Sequence, residues 1–250
     1  MDRKRLIGCN ISLGSYSSFV ESIIKQAATG EEFFYICVAN AHMMIEAHQS
    51  SSYEAIINNA GLVTPDGIPL TWALKFLYGI KQERVAGMDL LPDLLIAAEK
   101  KKIPIAFYGG TEEMLNITKE YFEKTYPNMI VANMYSPPFR PLTAEEEIKV
   151  VEMLNDSGAR LIFVVLGCPK QEKWMASMEG KINAVLIGIG GALPVLVGIQ
   201  KRAPVWMQKK GLEWFYRLSQ EPGRLRYTLY RTAFQGKPLF SILSVNNLPL

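Results

Sequence analysis

Asp66 is the residue whose type and surroundings best suit it to acid–base chemistry. It follows a short apolar run and stands between Pro65 and Gly67. A carboxylate in such a place can act as a general base when it reaches the hydroxyl group of a bound substrate. Asp before Gly is also a common turn residue, so the position by itself supports a structural role as well.

Glycine and polar residues follow the other apolar runs in the same way, at Asn40, 108–110, 167–171 and 188–191. In an open parallel sheet, ligands bind beyond the carboxyl ends of the strands. Glycines there let backbone N–H groups approach a phosphate, and the helix N-termini that follow favour negative charge. Each cluster could serve only to turn the chain, but the series favours a ligand, and a nucleotide suits it best.

Several other kinds of site have no visible ligands in the sequence. There is no G-x-G-x-x-G and no G-x-x-x-x-G-K-[ST], so neither a dinucleotide fingerprint nor a P-loop is predicted. No D-x-D pair is present to hold a metal–diphosphate. His42 and His48 lack Cys or paired-acid company, which argues against a zinc site, and no G-x-S-x-G indicates a Ser-His-Asp triad.

The elements that would position these residues alternate between short β-branched runs and longer amphipathic segments. The strand-like runs are 33–38, 62–64, 103–108, 129–134, 161–166 and 184–189. The helical segments are 41–59 with a break near 50–52, 68–77, 90–101, 111–125, 144–155 and one that begins at Pro169. This alternation predicts an α/β protein, a Rossmann-like sandwich whose mainly parallel sheet is flanked by helices.

Composition indicates a folded protein of one large domain or two small ones, since 49% of the 250 residues are hydrophobic and 20% are charged. Three scattered cysteines give no disulfide framework and favour a reducing compartment. The uncharged run 182–200 is long enough to span a membrane. Its glycines and Pro194 instead favour a buried strand, a glycine turn and a short helix.

Charge is divided unevenly along the chain. Residues 1–200 carry 18 Lys and Arg against 22 Asp and Glu, whereas residues 201–250 carry nine against two. After position 203 the pattern changes to two helices, about 205–219 and 222–234. We therefore predict an α/β domain over 1–203 and a basic helical appendage over 204–250. Its interleaved arginines and aromatics favour an anionic membrane surface or a phosphate, and the acidic body argues against nucleic acid.

Seven short segments form a further pattern over nearly the whole chain: V-A-N-A at 38–41, P-D-G at 65–67, E-R-V-A-G-M-D at 83–89, L-G-C-P-K-Q-E-K-W at 166–174, G-I-G-G at 188–191, K-R-A-P at 201–204 and G-L-E-W-F-Y-R at 211–217. In this order and combination they resemble the WecG/TagA/CpsF family of bacterial glycosyltransferases, glycosyltransferase family 26. The combination of E-R-V-x-G-x-D, P-K-Q-E-x-W and R-A-P followed by L-E-W-x-Y-R is specific.

The resemblance implies an inverting transfer from a UDP-sugar, of the N-acetylmannosamine type, to a polyprenyl-diphosphate-linked sugar in cell-wall or surface-polysaccharide synthesis. It implies no cofactor and no required metal, because arginines can stabilise the departing UDP. It also implies a peripheral enzyme on the inner face of the cell membrane, with the basic appendage against the anionic bilayer.

By position, the resemblance assigns Asp66 as the general base and Asn40 to the active-site pocket. Gln171 matches a sugar or phosphate contact, and Arg217 and Arg224 match arginines that clamp diphosphate. The other expected substrate contacts come from the same motifs and strand ends: Gly67, Arg84, Asp89, Tyr108, Gly109, Gly167, Lys170, Glu172, Gly188, Gly190, Gly191, Arg202 and Arg226.

Three positions depart from the teichoic-acid members of the family. Val38 stands where they have Thr, Leu193-Pro194 replaces an aromatic-Asp pair, and Tyr227 replaces a third arginine, with Arg226 as a neighbouring substitute. Two alternatives therefore stay open: an exopolysaccharide hexosyltransferase that uses a donor such as UDP-glucose, and a nucleotide-binding protein without transfer activity. The absent fingerprint disfavours a nicotinamide dehydrogenase, and the sequence leaves a homo-oligomer open.

Overall fold

The computed structural model describes residues 1–209 together with Glu213 and Tyr216. The chain begins with an antiparallel hairpin, β1 (Arg3–Leu6) and β2 (Cys9–Ser12), that the sequence interpretation did not predict. Ile7 and Gly8 connect the two strands with positive φ angles of 47° and 86°. Positive φ at both central residues is the geometry of a two-residue hairpin turn that matches the twist of the strands.

Six apolar segments then form one parallel sheet: β3 (Tyr35–Ala39), β4 (Leu62–Pro65), β5 (Ile105–Gly109), β6 (Val131–Tyr135), β7 (Leu161–Val165) and β8 (Val185–Gly188). The order across the sheet is β4-β3-β8-β7-β5-β6, and every neighbouring pair is parallel. The predicted α/β class with a mainly parallel sheet is confirmed.

Ten helices lie within the described residues: α1 (Tyr16–Thr29), α2 (Ala41–Gln49), α3 (Ser51–Asn59), α4 (Ile68–Tyr78), α5 (Gly87–Lys101), α6 (Glu112–Thr125), α7 (Ala144–Asp156), α8 (Lys170–Ser177), α9 (Ala192–Leu196) and α10 (Val205–Lys209). Their starts follow local chemistry. Thr111 and Thr143 cap α6 and α7 as predicted, each accepting a hydrogen bond from a backbone N–H of the first turn. The predicted break near residue 50 separates α2 from α3.

The core consists of two layers, one on each face of the sheet. Alternate residues of β3 show the division, because Tyr35 and Cys37 belong to one buried cluster and Ile36 and Val38 to the other. The hairpin, α2, α3, α4, α7 and α8 contribute to the first cluster. Helices α1, α5, α6 and α9 contribute to the second. The sheet is therefore flanked by helices on both faces.

The connections between strands show where a ligand-binding crevice forms at the carboxyl ends of the sheet. After β5 the chain passes through α6 on one face to the edge strand β6, whereas after β7 it passes through α8 on the other face to β8. Neighbouring strands whose helices leave on opposite faces form a crevice at their carboxyl ends, and ligands of open α/β sheets bind there.

The hairpin covers one edge of this sheet. The Ser12 hydroxyl accepts a hydrogen bond from the backbone N–H of Val63 in the edge strand β4, at 3.1 Å. The Arg3 guanidinium donates to the carbonyls of Asn58, Ala60 and Gly61, just where α3 ends. These contacts fix the N-terminal residues to the α3–β4 connection.

Several strands begin two residues later than predicted, and Ile103 shows why. Its apolar side chain is buried, but its N–H closes the end of α5 by donating to Ala98 at 2.9 Å. Pro104 then has no N–H to give to a neighbouring strand. The apolar side chain of Ile103 therefore suggests a strand from the sequence, but the strand begins at Ile105.

The chain divides into two compact units after Gln200. The uncharged run 182–200 forms β8, a glycine turn and α9, as the sequence interpretation favoured. Among residues 1–209, Glu213 and Tyr216, no helix is long and apolar enough to cross a membrane. Within the second unit, Gln208 donates to the carbonyl of Ala203 and Arg202 pairs with Glu213 at 3.1 Å. The predicted helix at 222–234 lies outside the described residues.

Candidate active site

Asp66 and Asn40 leave neighbouring strands side by side. Ala39 of β3 and Pro65 of β4 are the last paired residues, and the Asp66 N–H donates to the Ala39 carbonyl at 2.8 Å. Asn40 begins α2, and its side-chain oxygen accepts from the backbone N–H of Met43 at 3.1 Å. The two residues expected to form the catalytic pocket are therefore brought together at the carboxyl edge of the sheet.

Gly67 brings the starts of two helices close together at the same place. It caps the N-terminus of α4, and a β-carbon at this position would lie 3.9 Å from the backbone nitrogen of Ala41, the first residue of α2. The N-termini of α2 and α4 thus flank Asp66. Because helix N-termini carry partial positive charge, both favour an anionic ligand near this carboxylate.

The E-R-V-A-G-M-D segment lies alongside β4. The N–H of Val85 donates to the Pro65 carbonyl at 2.9 Å, and the Thr64 hydroxyl donates to the Val85 carbonyl at 3.2 Å. In the same segment Arg84 and Asp89 form an ion pair with 3.0 Å between nitrogen and oxygen. The segment is thus held beside Pro65, although Val85 lies 20 positions away from it in the sequence.

Val38 packs beneath the start of α5. A β-carbon on Gly87, the first residue of that helix, would lie 3.4 Å from the Val38 Cγ1 atom and 4.0 Å from the Ile189 carbonyl oxygen. Val38 is buried, so its side chain serves the core between the sheet and α5. Leu193 and Pro194 are likewise buried in α9.

Gln171 links the ends of β7 and β8. Its side-chain oxygen accepts from the Gly167 N–H at 3.2 Å. Its amide group lies close to both glycines after Ile187 and Ile189: a β-carbon on Gly188 would lie 2.8 Å from Nε2, and one on Gly190 would lie 3.3 Å from Oε1. The structure therefore brings together Gly167, Gln171, Gly188 and Gly190, with Gln171 largely buried among them.

Glu172 lies behind Gln171 with no exposed area. One carboxylate oxygen accepts from Gln171 Nε2 at 2.7 Å, and the other accepts from the Tyr53 hydroxyl at 2.9 Å. The Tyr53 oxygen also lies 3.3 Å from the Cys168 sulfur. Burial raises the pKa of Glu172 above its ordinary value and the pKa of the Cys168 thiol to about 12. Glu172 thus holds Gln171 from the side away from solvent.

The raised pKa of Glu172 predicts a pH dependence of stability. An unfolded Glu titrates near 4.5, so above that pH folding takes up a proton. The stabilisation is complete below 4.5 and is lost as pH rises through the higher pKa of the folded protein. We expect Glu172→Gln, which cannot titrate, to flatten the fall in unfolding free energy from pH 4.5 towards neutral pH. The difference in slope is at most about 1.4 kcal/mol per pH unit.

Urea unfolding across that pH range measures this slope. The matched control is Glu179→Gln, which removes an exposed carboxylate shortly after α8. Parallel curves for the wild type and Glu172→Gln would show that Glu172 titrates as it does in the unfolded chain.

Tyr108 and Gly109 end β5 within an aromatic stack. The Tyr108 ring lies 3.8 Å from the Trp174 ring, centroid to centroid, and 5.9 Å from the Tyr135 ring. Burial raises the pKa of the Tyr108 hydroxyl. Gly109 has a φ of +108°, and a β-carbon there would lie 2.6 Å from the Val165 carbonyl oxygen of β7. Only glycine allows β5 and β7 to approach so closely at their carboxyl ends.

Four helices that begin at this edge lack a side-chain cap from the described residues. They are α4, α5, α8 and α9, whose N-cap residues are Gly67, Ala86, Pro169 and Gly191. Two further helices at this edge, α2 and α6, are capped by the side chains of Asn40 and Thr111. Uncapped N-termini present backbone N–H donors that a phosphate can accept from.

The remaining predicted contacts are dispersed. Lys170 is exposed, with its Nζ atom 5.9 Å from the centre of the Phe139 ring. Arg202 belongs to the second unit, where it pairs with Glu213. Arg217, Arg224 and Arg226 lie outside the described residues. Among residues 1–209, Glu213 and Tyr216, no group of three or more His, Cys, Asp or Glu side chains is arranged to hold a metal ion.

Residues that sequence reasoning missed include Tyr53 and Tyr135. Tyr53 lies on α3, in a segment whose composition signalled only a helix, and its partner Glu172 is 119 positions away. Tyr135 was placed just past the end of a strand, with no indication that it stacks on Tyr108. Trp174 was visible in the P-K-Q-E-K-W segment, but its ring partner was not.

Comparison with known proteins identifies the family to which this chain belongs. The family model described as "Glycosyl transferase WecG/TagA/CpsF family" matches residues 4–246. The chain is similar to the N-acetylglucosaminyldiphosphoundecaprenol N-acetyl-beta-D-mannosaminyltransferase of Bacillus spizizenii, with 32% identity over 85% of this chain and 81% of that protein. It is 30% identical to the Bacillus subtilis protein of the same name, over 85% of this chain and 82% of the relative. The chain belongs to the WecG/TagA/CpsF family of glycosyltransferases.

Proposed function

We propose that this glycosyltransferase moves an N-acetylmannosamine-type sugar from a UDP-sugar to a polyprenyl-diphosphate-linked N-acetylglucosamine, with inversion at the anomeric carbon. The product would enter cell-wall or surface-polysaccharide synthesis. The names of the two Bacillus relatives support the transferred sugar and the lipid-linked acceptor. The UDP moiety of the donor rests on the resemblance and on the phosphate-binding character of the strand ends.

One observation carries the reaction type: Asp66 lies between the N-termini of α2 and α4, beside Asn40, at the carboxyl edge of the sheet. A carboxylate there can accept a proton while backbone N–H groups nearby meet negative charge. An inverting transfer needs both functions in one site. No other Asp or Glu within the described residues follows a strand of the sheet so directly.

The chemistry follows from these positions. The acceptor hydroxyl oxygen forms a bond to the anomeric carbon of the donor as Asp66 takes the hydroxyl proton. The bond between that carbon and the UDP oxygen breaks, and its electron pair leaves with UDP. The uncapped N-termini of α4, α5 and α8 supply donors for the diphosphate, and the resemblance assigns positive charge there to Arg217, Arg224 and Arg226. A single displacement inverts the anomeric carbon.

We propose that the reaction does not require a metal, since the sequence has no D-x-D pair and its arginines can balance the charge of UDP. We also propose a peripheral place on the inner face of the cell membrane. The nine Lys and Arg of residues 201–250, against two Glu, suit an anionic lipid surface.

A donor panel tests this function. Purified protein is incubated with a polyprenyl-diphosphate-linked N-acetylglucosamine and one of several UDP-sugars, with and without EDTA. We expect UDP release and a mass increase of the acceptor with UDP-N-acetylmannosamine, unchanged by EDTA. Transfer from UDP-glucose alone would favour the exopolysaccharide hexosyltransferase. Calorimetric binding of UDP without any transfer would favour the nucleotide-binding alternative.

A further inference from the structure

The helix that follows Asp66 carries a surface that the proposed reaction does not use. Four large apolar side chains of α4 remain exposed: Trp72 (66%), Phe76 (87%), Leu77 (43%) and Tyr78 (42%). Single exposed apolar residues are normal on protein surfaces, but a contiguous group marks an interaction site. Here all four fall within seven consecutive residues of one helix.

The helical geometry gathers the two most exposed of these side chains on one side. Trp72 and Phe76 are four residues apart, so they neighbour each other along the helix. Leu70 and Leu74 lie on the opposite side and are buried against the sheet layer. Lys75 stands beside Phe76 and is exposed. We call Trp72, Lys75 and Phe76 the outer face of α4.

Basic residues lie on this outer face and near the C-terminal end of α4. The segment Ile68–Tyr78 contains no Asp or Glu. Lys4 holds its Nζ atom 5.5 Å from the centre of the Tyr78 ring, and Lys81 is exposed just after the helix. Arg5, whose carbonyl accepts from the Tyr78 hydroxyl, pairs with Glu54 at 3.4 Å. Protein segments that lie in a bilayer interface typically combine exposed Trp and Phe side chains with lysines at their edge.

We propose that the outer face of α4 docks onto an anionic lipid bilayer, a contact additional to that of the basic appendage. The idea rests on the proposed function, because the acceptor of that reaction is anchored in a bilayer. Since α4 starts directly after Gly67 and is about 16 Å long, docking would place Asp66 within reach of a diphosphate at the lipid surface.

Charge favours a bilayer over a second copy of this chain. In a two-fold dimer the same patch faces itself. The lysines would then bring positive charge to both sides of the interface, and the segment Ile68–Tyr78 has no Asp or Glu to balance it. Anionic lipid headgroups instead complement these lysines, while Trp72 and Phe76 enter the boundary with the acyl chains. An anionic bilayer therefore provides a partner for both the apolar side chains and the lysines.

Vesicle sedimentation of the full-length protein, without substrates, tests the contact. With vesicles of phosphatidylcholine and phosphatidylglycerol, we expect the Trp72→Ser/Phe76→Ser double variant to partition about tenfold more weakly than the wild type. Lys75→Glu should weaken binding to these vesicles more than to pure phosphatidylcholine, and more at low salt. Because these side chains are exposed, the thermal unfolding midpoints should stay near that of the wild type.

The matched control is Ile96→Ser/Ile148→Ser, which removes two side chains of 55% and 58% exposure from α5 and α7. This control should bind vesicles as the wild type does. Equal binding of all variants would overturn the docking role of α4. So would a loss of dimer in analytical ultracentrifugation of Trp72→Ser/Phe76→Ser with unchanged vesicle binding, because the face would then pair two copies.

Transfer by the wild type to a detergent-dispersed acceptor, measured in parallel, separates the two proposals. If α4 contributes to vesicle binding but no acceptor receives a sugar, the proposed function is overturned and the docking role of α4 stands. If sugar transfer occurs but α4 does not contribute to vesicle binding, the docking role of α4 is overturned and the proposed function stands.

Discussion

Replacing Asp66 by Asn is expected to lower kcat by about 10²–10⁴-fold, the range that a general base contributes. Asn keeps the size of the side chain and its capacity for hydrogen bonds, but it cannot take the proton of the acceptor hydroxyl. The hydrogen bond from the Asp66 backbone N–H to the Ala39 carbonyl does not involve the side chain and should persist in the variant. UDP release under saturating donor and acceptor measures kcat, and thermal unfolding checks the fold.

The control is Asp156→Asn, at the exposed end of α7, far from the strand ends that hold Asp66. This variant should retain wild-type turnover. The pH profile separates a base from a binding group, since kcat/KM of the wild type should rise with pH through the pKa of the base and that of Asp66→Asn should not. Near-normal turnover of Asp66→Asn would remove Asp66 from the catalytic role.

Gly109→Ala is expected to lower the free energy of unfolding by about 2–4 kcal/mol. The new β-carbon would lie 2.6 Å from the Val165 carbonyl oxygen, and the backbone at φ +108° disfavours any side chain. Because the clash is with backbone, rotation of a side chain cannot relieve it. The ends of β5 and β7 must separate, which also disturbs the stacking of Tyr108 on Trp174 and Tyr135. Urea unfolding followed by circular dichroism gives the loss of stability.

Gly158→Ala separates the two causes. Gly158 also has a positive φ, of 72°, but nothing lies within 4 Å of its β-carbon position. Its substitution should therefore cost only the conformational penalty, about 1–2 kcal/mol. If the two variants lose equal stability, close approach of β5 and β7 has no role at Gly109.

The architecture could be predicted from the sequence because the local signals for caps and turns agree with the pattern of buried residues. Thr111 and Thr143 precede acidic first turns, and both cap helices in the structure. The turn at Pro65-Asp66-Gly67 lies between a strand and a helix, as its chemistry predicts. Periodicity could also place the strand ends at one edge, since all six strands are parallel. Locating Asp66 beside Asn40 needed only the adjacency of β3 and β4.

What the sequence did not reveal depends on contacts between distant segments. Glu172 was expected to meet substrate, yet the structure places it behind Gln171, in contact with Tyr53. No local pattern announces a hydrogen bond between residues 119 positions apart. Similarly, the apolar composition of 68–77 predicted a helix, but only the packing of Leu74 shows that Trp72 faces outward. Pairing and orientation are properties of the assembled layers.

The N-terminal hairpin has a consequence for self-association. An edge strand with a row of open N–H and C=O groups invites a strand from another molecule, and such pairing leads to aggregation. Here the Val63 N–H already binds Ser12, and the Pro65 carbonyl already binds Val85. Pro65 itself has no N–H to offer. The first twelve residues and the E-R-V segment thus prevent a strand of another molecule from pairing with β4, one of the two edge strands of the sheet.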